Sequence, residues 1–418
     1  MRGDIGEIVV VGDLAKREGM GMGFPLEGVR VTDLTQYQQG PFSTVILGDL
    51  GAEVIKVEPR GTGDPGRRLG PWGRGGTSAY FEAHNRHKKS VTVDVRKEKG
   101  REIIYRLVGK SDIFAQNFRP GVAERLGFGY EALSRINPKI ICLTGSAYGL
   151  KGPWAQKPGF DGVGQAMSGI LSTVLSPEGI PPSIIGTAVS DQTGAIMLAL
   201  GAMVALFHRE RTGQGQEFDA SLLGSTIALI GWTFQCYFTS GSEPQAGRAR
   251  FTSRGLTSSH LTKDGKPLLL HVVGRENQRK AFKVMGVEWL GEDSRFESGE
   301  KMTENQEVLL AAMDGAIGAR DREDWLKRFD EADVVAAPVL SLAETAAHPQ
   351  VVANEYVAEV DHPKEGRLKV VGMPVKFHKT PGRLGVAPEL GQHTDEVLSG
   401  IAGYKAEEIA QMREQEII

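Results

Sequence analysis

The sequence has little cysteine, little net charge and no long uninterrupted apolar run. Its 418 residues include 2 cysteines, Cys142 and Cys236, which form no CxxC pair, so neither a disulfide framework nor a thiolate metal site is expected. The net charge of -3 excludes a broadly basic nucleic-acid-binding protein. The longest apolar stretch, 195–208, falls short of the roughly 18 apolar residues of a membrane helix. We therefore expect a cytoplasmic protein that binds neither membranes nor nucleic acid.

Motifs of several common enzyme classes are also missing. The sequence contains no GxxxxGK[ST], HExxH or GxSxG motif, and no GxGxxG follows the first predicted strand, so nicotinamide or flavin binding has no support. The nine histidines show no ligand spacing, and no metal is expected. Glycine is abundant instead, at 54 residues. This indicates many tight turns and places where the backbone approaches a ligand closely.

The length and a hydrophobic content of 40% predict two or three domains with real cores. Composition divides the chain further. The predicted segments are an N-terminal extension (1–24), a large domain (25–225), a linker (226–258), a small domain (259–345) and a return segment that completes the large domain (346–418).

Local patterns predict an α/β fold. Strands at 29–34 and 52–58 enclose a helix at 42–50, and this strand–helix rhythm continues to about residue 143. Short loops in such a rhythm predict a Rossmann-like parallel sheet covered by helices. A hairpin at 260–273, turning at Asp264-Gly265, and three following helices predict a smaller α+β domain.

Two aspartates stand at the starts of predicted helices. Asp191 opens the apolar helix predicted for 191–207, and Asp161 precedes another helical pattern. An aspartate at a helix N-cap accepts backbone N–H groups, which is its more common role there. A carboxylate in that place can alternatively be a nucleophile, with neighbouring N–H groups stabilising an oxyanion. The residues alone leave both roles open.

Basic residues follow several predicted strands. Arg60 follows the second strand, Arg96 and Lys97 follow the third, and Arg119 and Arg125 flank a Pro-Gly turn. Ligands of parallel α/β sheets bind at the carboxyl ends of the strands. Several cations at these positions indicate a polyphosphate ligand.

Taken in order, five segments resemble the class III CoA transferases, the CaiB/BaiF or formyl-CoA transferase family. They are 26–34, 47–58, 117–121, 207–216 and 390–398. The resemblance covers residues 25–418 and is specific in combination. It implies a Rossmann-like large domain, a smaller α+β domain and an interlocked homodimer. It also implies reversible transfer of CoA between an acyl-CoA and a small carboxylic acid, with CoA as substrate and no prosthetic group.

The resemblance assigns roles to individual residues. The family's catalytic aspartate falls on Asp191, which would form acyl-anhydride and aspartyl-CoA thioester intermediates. Asp161 would lie in the substrate pocket. The implied CoA contacts are Gln38, Gln39, Arg60, Val93, Arg96, Asn117, Phe118, Val122, Arg125, Leu126 and Lys157.

Two departures from the family pattern bear on the substrate. The small domain lacks the glycine run that formyl-CoA transferases close over the site, which argues against formate and oxalate. Racemases of the same fold carry His-Asp where this chain has Phe160-Asp161, and phenylalanine cannot exchange a proton. Two alternatives stay open: a 2-methylacyl-CoA racemase or epimerase, and a non-catalytic CoA-binding subunit of an active partner.

Overall fold

The structure, a computed structural model, describes residues 23–174, 180–243, 247, 249–251 and 255–418. Residues 1–22 of the predicted N-terminal extension lie outside the described residues. The chain divides into two compact units. The larger unit holds the residues up to Leu171, Ile184–Thr239 and Pro349–Ile418, and the smaller unit holds Ser172–Ser183 and Ser240–His348.

A six-stranded parallel sheet forms the centre of the larger unit. Its strands are β1 (Arg30–Asp33), β2 (Glu53–Glu58), β3 (Lys88–Thr92), β4 (Ile113–Gln116), β5 (Ile141–Ser146) and β6 (Glu217–Ser221). They lie in the order β3-β2-β1-β4-β5-β6, and all neighbours are parallel. The order changes direction between β1 and β4, which is where sheets of this kind open a crevice for ligands. This topology confirms the predicted α/β class.

Helices cover both faces of this sheet. Up to Ser240 they are α1 (Gln39–Asp49), α2 (Ala79–Asn85), α3 (Glu98–Val108), α4 (Val122–Arg125), α5 (Tyr130–Ile136), α6 (Asp161–Met167), α7 (Val189–Thr212), α8 (Leu222–Leu229) and α9 (Gly231–Ser240). Single 3-10 turns lie at Pro65–Arg68 and Ile170–Thr173.

Alternate residues of the strands enter two separate cores. In β4, Phe114 packs in a core with Ile103 of α3, whereas Ile113 and Ala115 pack in a core with Leu198 of α7. Side chains alternate between the faces of a strand, so a sheet that is covered on both sides needs apolar residues in succession. This explains why the strands appear in the sequence as continuous apolar runs.

Helix α7 carries Asp191 in its first turn. It has 24 residues, and its window of highest hydropathy, with a mean of 1.4, is half buried. By length and composition it could cross a membrane, as could many buried helices of globular proteins. The expectation that no stretch approaches such a length was based on uninterrupted apolar runs, whereas a window average tolerates polar residues. Within the larger unit, Leu198, Ala202 and Ala205 of α7 are buried in the core.

The smaller unit contains an antiparallel sheet and surrounding helices. Its strands, in the order β10-β9-β8-β7, are β7 (Ala249–Phe251), β8 (Gly255–Leu261), β9 (Pro267–Val273) and β10 (Ala336–Pro338). Its helices are α10 (Arg275–Met285), α11 (Trp289–Glu292), α12 (Gly299–Glu304), α13 (Gln306–Ile317), α14 (Arg322–Glu331) and α15 (Leu342–Ala347), with a 3-10 turn at Ser294–Phe296. Leu268, Phe282 and Trp325 lie in its single core. The predicted α+β character is confirmed.

Residues 226–258, predicted as a linker, contain regular structure. They include the second half of α8, all of α9, strand β7 and the start of β8. The composition change that motivated the prediction does mark a boundary, because the smaller unit resumes at Ser240. The apolar residues before Ser240 form helices of the larger unit instead of an extended segment.

The return segment adds a hairpin and three helices to the larger unit. They are α16 (Pro349–Ala353), β11 (Val357–His362), β12 (Gly366–Val371), α17 (Thr394–Gly400) and α18 (Ala406–Glu414). Val397, Leu398 and Met412 are buried in the same core as α3. The end of the chain therefore stabilises one face of the sheet formed by its beginning.

A hydrogen-bonded Ser–His–Asp chain crosses the smaller unit. Ser258 Oγ lies 2.7 Å from His260 Nε2, and His260 Nδ1 lies 2.7 Å from Asp314 Oδ1. The order of groups matches a hydrolase triad. However, Ser258 is fully buried, so a substrate carbonyl cannot reach its hydroxyl. The contacts tie β8 to α13 and are structural.

Candidate active site

Asp191 lies in the first turn of α7. The helix begins at Val189, and its N-cap residue, Ala188, provides no side-chain cap. The interpretation of Asp191 as the N-cap is therefore wrong. Its carboxyl instead lies close to the backbone N–H of Gln39, at the start of α1, which lowers its pKa. This contact joins the two helix N-termini that face the crevice.

Asp161 supplies the cap that α7 lacks. Its Oδ1 accepts the backbone N–H groups of Ser190 at 2.8 Å and Asp191 at 3.1 Å. Its Oδ2 accepts Gln165 Nε2 at 2.6 Å. An acid at a helix N-terminus satisfies free N–H groups and complements the helix dipole. Asp161 was predicted to lie in the substrate pocket; it is not among the residues that line the cavity of Asp191, and it caps the helix that carries Asp191.

The environment of Asp191 raises the pKa of its carboxyl to about 7. Burial is the main cause, and the negative charge of Asp161 adds to it, whereas the N–H of Gln39 lowers the pKa. At neutral pH the carboxyl is therefore present in both protonation states. The ionised form is poorly solvated, and such a carboxylate is a better nucleophile than one in bulk water.

A cavity of about 360 Å³ opens over Asp191. It lies at the carboxyl ends of β1, β4 and β5, on the side of the sheet order where the crevice was expected. Five predicted CoA contacts line it together with Asp191: Gln38, Gln39, Asn117, Phe118 and Lys157. The structure thus brings the proposed nucleophile and five of the eleven predicted contacts to one place.

The loop after β1 forms one wall of this cavity. The side chain of Asn117 donates to Gln36 O and accepts Gln36 N–H, both at 2.8 Å. Tyr37 has a left-handed backbone, with φ of 65°. Gln39 donates Nε2 to Ala220 O at 3.3 Å. A Cβ at Gly194 would lie 2.5 Å from Gln39 Nε2, so this glycine allows α1 to approach α7.

A second cavity, of about 650 Å³, adjoins the first. Gln36 and Phe118 line both. The predicted CoA contacts that line the second cavity are Arg60, Val93, Arg96, Phe118 and Leu126. Val122 and Arg125, on α4, line neither cavity, in contrast to their predicted role. Helix α4 places Leu126 towards the cavity, whereas the Arg125 side chain is exposed.

The cations of the second cavity are paired at its rim. Arg60 donates to Ile418 O at 3.0 Å and lies 3.3 Å from Glu416. Arg96 forms a two-point contact with Asp94, at 2.8 and 2.9 Å. Exposed pairs of this kind contribute little stability. A phosphate group could therefore replace the carboxylates at small cost.

Tyr80 lines the first cavity and was missed by the sequence interpretation. Burial, and then the charge of Asp191, raise the pKa of its phenol, which stays protonated. His84 lies behind it, with Nδ1 2.6 Å from Tyr80 O, and burial lowers the pKa of this histidine to about 4. No local motif marks Tyr80, because it reaches the site through a helix that follows a long loop.

Metal ligation has no support within the described part of the chain. No three His, Cys, Asp or Glu side chains there are grouped so that they could hold a metal ion. The chemistry derived below uses only groups that the chain itself provides.

The raised pKa of Asp191 predicts a pH-dependent effect on stability. Because the pKa of Asp191 is about 7 in the folded state and 3.8 for an ordinary solvated aspartate, the folded protein binds more protons than the unfolded protein between these pH values. The free energy of unfolding then falls as pH rises through this window. Asp191→Asn removes this titration. Above pH 7 the free energy of unfolding of this variant should exceed that of the wild type by about 2–4 kcal/mol.

Urea unfolding at pH 4.5, 6 and 8 measures this difference. The advantage of Asp191→Asn is expected to grow across the series. Asp361→Asn, at an exposed position of β11, is the control for a lost surface carboxylate. An advantage of Asp191→Asn that is equal at all three pH values would contradict the raised pKa.

Comparisons with known proteins agree with this geometry. The model of CoA-transferase family III matches residues 26–394. The chain is 36% identical to an acetyl-CoA:oxalate CoA-transferase of Acetobacter aceti, over 88% of this chain and 93% of that protein. It is 33% identical to a succinyl-CoA:glutarate CoA-transferase of Homo sapiens, over 93% and 88%.

A solved structure supports the same assignment. A CAIB/BAIF family protein from Brucella suis superposes with a TM-score of 0.80 and 29% identity, over 91% of this chain and 100% of that one. The family model spans most of the chain, and the resemblance noted in the sequence is confirmed. The chain belongs to CoA-transferase family III, and CoA transfer is its general activity.

Proposed function

We propose that the chain moves CoA reversibly between an acyl-CoA and a carboxylic acid through covalent intermediates on Asp191. One observation carries this proposal: Asp191 has a raised pKa and lies in a cavity that adjoins a second, cation-rimmed cavity. The second cavity suits the nucleotide end of CoA, because Arg60, Arg96 and Lys97 line it. The thioester of the same molecule would then reach Asp191.

The proposed reaction conserves the energy of the thioester. An Asp191 oxygen attacks the acyl carbonyl, the C–S bond breaks, and a mixed anhydride and CoA thiolate form. The thiolate attacks the aspartyl carbonyl, which releases the first acid and leaves an aspartyl-CoA thioester. The acceptor acid reverses both steps. Thioester and anhydride are similar in energy, so we propose that CoA enters as substrate and that no prosthetic group is needed.

Three groups of the chain would assist these steps. The N–H of Gln39 already contacts the carboxyl of Asp191 and can stabilise the oxyanion at the aspartyl carbonyl. Tyr80, protonated and in the same cavity, offers a hydroxyl donor to the acyl oxygen. Asp161 holds the N-terminus of α7 in place during the reaction.

The proposal predicts a covalent CoA adduct on Asp191. Intact mass measurement after brief incubation with a panel of acyl-CoAs should show the added mass of CoA, because the aspartyl thioester persists until an acceptor acid attacks it. Peptide mapping should place the adduct on the peptide that contains Asp191. Asp191→Asn should give no adduct and no measurable transfer.

Controls separate this activity from its alternatives. A protein that binds CoA, forms no adduct and exchanges the α-proton of an acyl-CoA with heavy water would be a racemase. Among the described residues that line the Asp191 cavity there is no histidine and no second carboxylate, so no observation favours that alternative. CoA binding without adduct, transfer or exchange would identify a non-catalytic subunit.

We further propose that the acceptor is a dicarboxylic acid. Relatives are named for oxalate, glutarate, citramalate and malate. Arg119 and Lys157 line the cavity that holds Asp191. Lys157 Nζ lies 3.4 Å from the centre of the Trp154 ring, which holds this cation at the cavity wall. One of these cations can bind the carboxylate that does not react.

Acceptor kinetics test this assignment. The kcat/KM values for succinate and glutarate should exceed those for butyrate and valerate by about tenfold or more. The monocarboxylic acids lack the second carboxylate and therefore leave a cation of the cavity unpaired. Arg119→Met or Lys157→Met should reduce the ratio of kcat/KM between dicarboxylic and monocarboxylic acids, mainly by raising the KM for the dicarboxylic acids. Lys151→Met, an exposed lysine outside the cavity lining, is the matched control. Oxalate belongs in the panel, since the sequence argued against it. Equal rates for both acid classes would exclude the proposal.

We also propose that two copies of the chain associate. Ile196, Leu200, Val204 and Phe207 form one stripe of α7 and are each more than half exposed. On α9, Phe238 is 68% exposed. Apolar surface of this extent marks a protein contact. Since the family resemblance implies an interlocked homodimer, a second copy is the proposed occupant.

Analytical ultracentrifugation tests the association. The wild-type protein should sediment as a dimer, and Leu200→Asp with Phe207→Asp should shift it towards monomer, because charge would be buried in the contact. Ile136→Asp, an exposed apolar position on α5, serves as the control. A monomeric wild type, or a complex that forms only with a related subunit, would overturn the homodimer.

A further inference from the structure

Four ionisable side chains are buried beneath the loop that lines the Asp191 cavity. Asp33, Lys56, Asp64 and Lys88 are each at most 3% exposed. Removing charges from water is costly even when they are paired, and apolar side chains often stabilise a fold as well. None of the four lines either cavity described above. Their contacts with the backbone of the loop show what these side chains hold in place.

The Asp33–Lys88 pair holds both ends of the loop. Asp33 Oδ1 accepts the N–H and the hydroxyl of Thr35, at 2.8 and 2.5 Å, and Asp33 Oδ2 accepts Thr44 Oγ1 at 2.7 Å. Lys88 Nζ lies 3.0 Å from Asp33 Oδ2 and donates to Pro41 O at 2.9 Å. The pair thus fixes the exit of β1 and the first turn of α1.

The Lys56–Asp64 pair holds the middle of the loop. Lys56 Nζ donates to Thr35 O at 2.8 Å and lies 2.8 Å from Asp64 Oδ2. Asp64 Oδ1 accepts the N–H of Tyr37 at 3.3 Å and of Gly66 at 2.7 Å. The backbone of Thr35 is therefore bound on both its N–H and its carbonyl side. Tyr37, whose backbone is left-handed, is bound at its N–H.

Opposite charges offset the effect of burial on Lys56 and Asp33. Burial alone would lower the pKa of Lys56, but Asp64, Asp33 and Glu58 together raise it. Burial alone would raise the pKa of Asp33, but Lys88 and Lys56 lower it. Lys56 and Asp64 therefore attract each other while one binds Thr35 O and the other binds the N–H of Tyr37.

The residues that follow Tyr37 are those that face Asp191. Gln38 and Gln39 line the cavity, and the N–H of Gln39 contacts the Asp191 carboxyl. A left-handed residue other than glycine is held by its surroundings, since it is strained by itself. The hydrogen bonds from Lys56 to Thr35 O and from the N–H of Tyr37 to Asp64 hold this turn on the side buried in the protein.

We propose that the buried Lys56–Asp64 ion pair is a positioning device that sets the N–H of Gln39 against the Asp191 carboxyl. This inference rests on the proposed function, since its effect on rate is exerted through Asp191. Lys56 and Asp64 touch no reacting atom in this proposal. They act through the backbone of residues 35–39, so their loss should affect the covalent step more than the binding of CoA.

Asp64→Asn tests the proposal with little change in shape. It removes the charge partner of Lys56 and keeps an oxygen for Tyr37 and Gly66. The rate of CoA adduct formation should fall by about 10- to 100-fold, as for a misplaced catalytic group. The Kd for CoA should change by a smaller factor than this rate. Hydrogen exchange of peptides covering 35–42 should become faster.

Asp49→Asn is the matched control. Asp49 and Arg86 form a buried ion pair in the same unit, at 2.5 Å, but at the other end of α1. This variant should unfold more easily and should form adduct at the wild-type rate. If Asp64→Asn behaves in the same way, with unchanged exchange at 35–42, the pair is merely structural and the proposal is wrong.

Two further measurements keep the outcomes distinct. Should Asp64→Asn not fold, Lys56→Arg is the second variant, because it retains the positive charge and changes the length and shape of the side chain. The same loss in the rate of adduct formation and the same faster hydrogen exchange of 35–42 are expected. Should the wild-type protein form no adduct, the proposed function fails by itself. The exchange of 35–42 in Asp64→Asn then decides whether the pair orders the loop, and unchanged exchange overturns the inference.

Discussion

The cap that Asp161 places on helix α7 is the contact on which the candidate site depends. The first N–H groups of this helix have no partner within the helix, and a carboxylate from another helix satisfies two of them. The same carboxylate places a negative charge beside Asp191 and helps to raise its pKa. One residue therefore both fixes the backbone of the proposed nucleophile and makes its ionised form more reactive.

The sheet order explains why this contact meets a ligand crevice. Strands β1 and β4 are neighbours, but the connections after them lead to opposite ends of the sheet. Their carboxyl ends therefore carry loops that diverge, and Gln36 and Phe118, from these loops, line both cavities. A molecule with a polyanionic end and a reactive thioester end matches a cavity lined by Arg60, Arg96 and Lys97 that adjoins the cavity of Asp191. The order of the strands thus sets the direction in which such a substrate would lie across the two cavities.

The sequence predicts the local parts of this arrangement and misses the distant ones. Apolar runs and glycine ends located five of the six parallel strands, because each is buried on both faces. Edge strand β6 was missed, since Glu217 and Asp219 interrupt its apolar pattern and it is half exposed. The bond from Asp161 to α7 spans 29 residues in sequence, so no local pattern encodes it. Asp191 was singled out by its place at the start of an apolar helix, but its role as a nucleophile was assigned only through the family resemblance.

The buried charges of the larger unit differ in whether they are paired. Asp191 carries a raised pKa and lowers stability when ionised, whereas Lys56 has its pKa raised by the carboxylates around it and is paired with Asp64. An unpaired charge near a substrate can react, and a paired charge can only orient its neighbours. A fold that must present one reactive carboxylate therefore needs the other buried acids nearby to be saturated by cations or backbone N–H groups. Asp33, Asp64 and Asp161 are saturated in this way, which leaves Asp191 as the acid in this cavity that is free to attack.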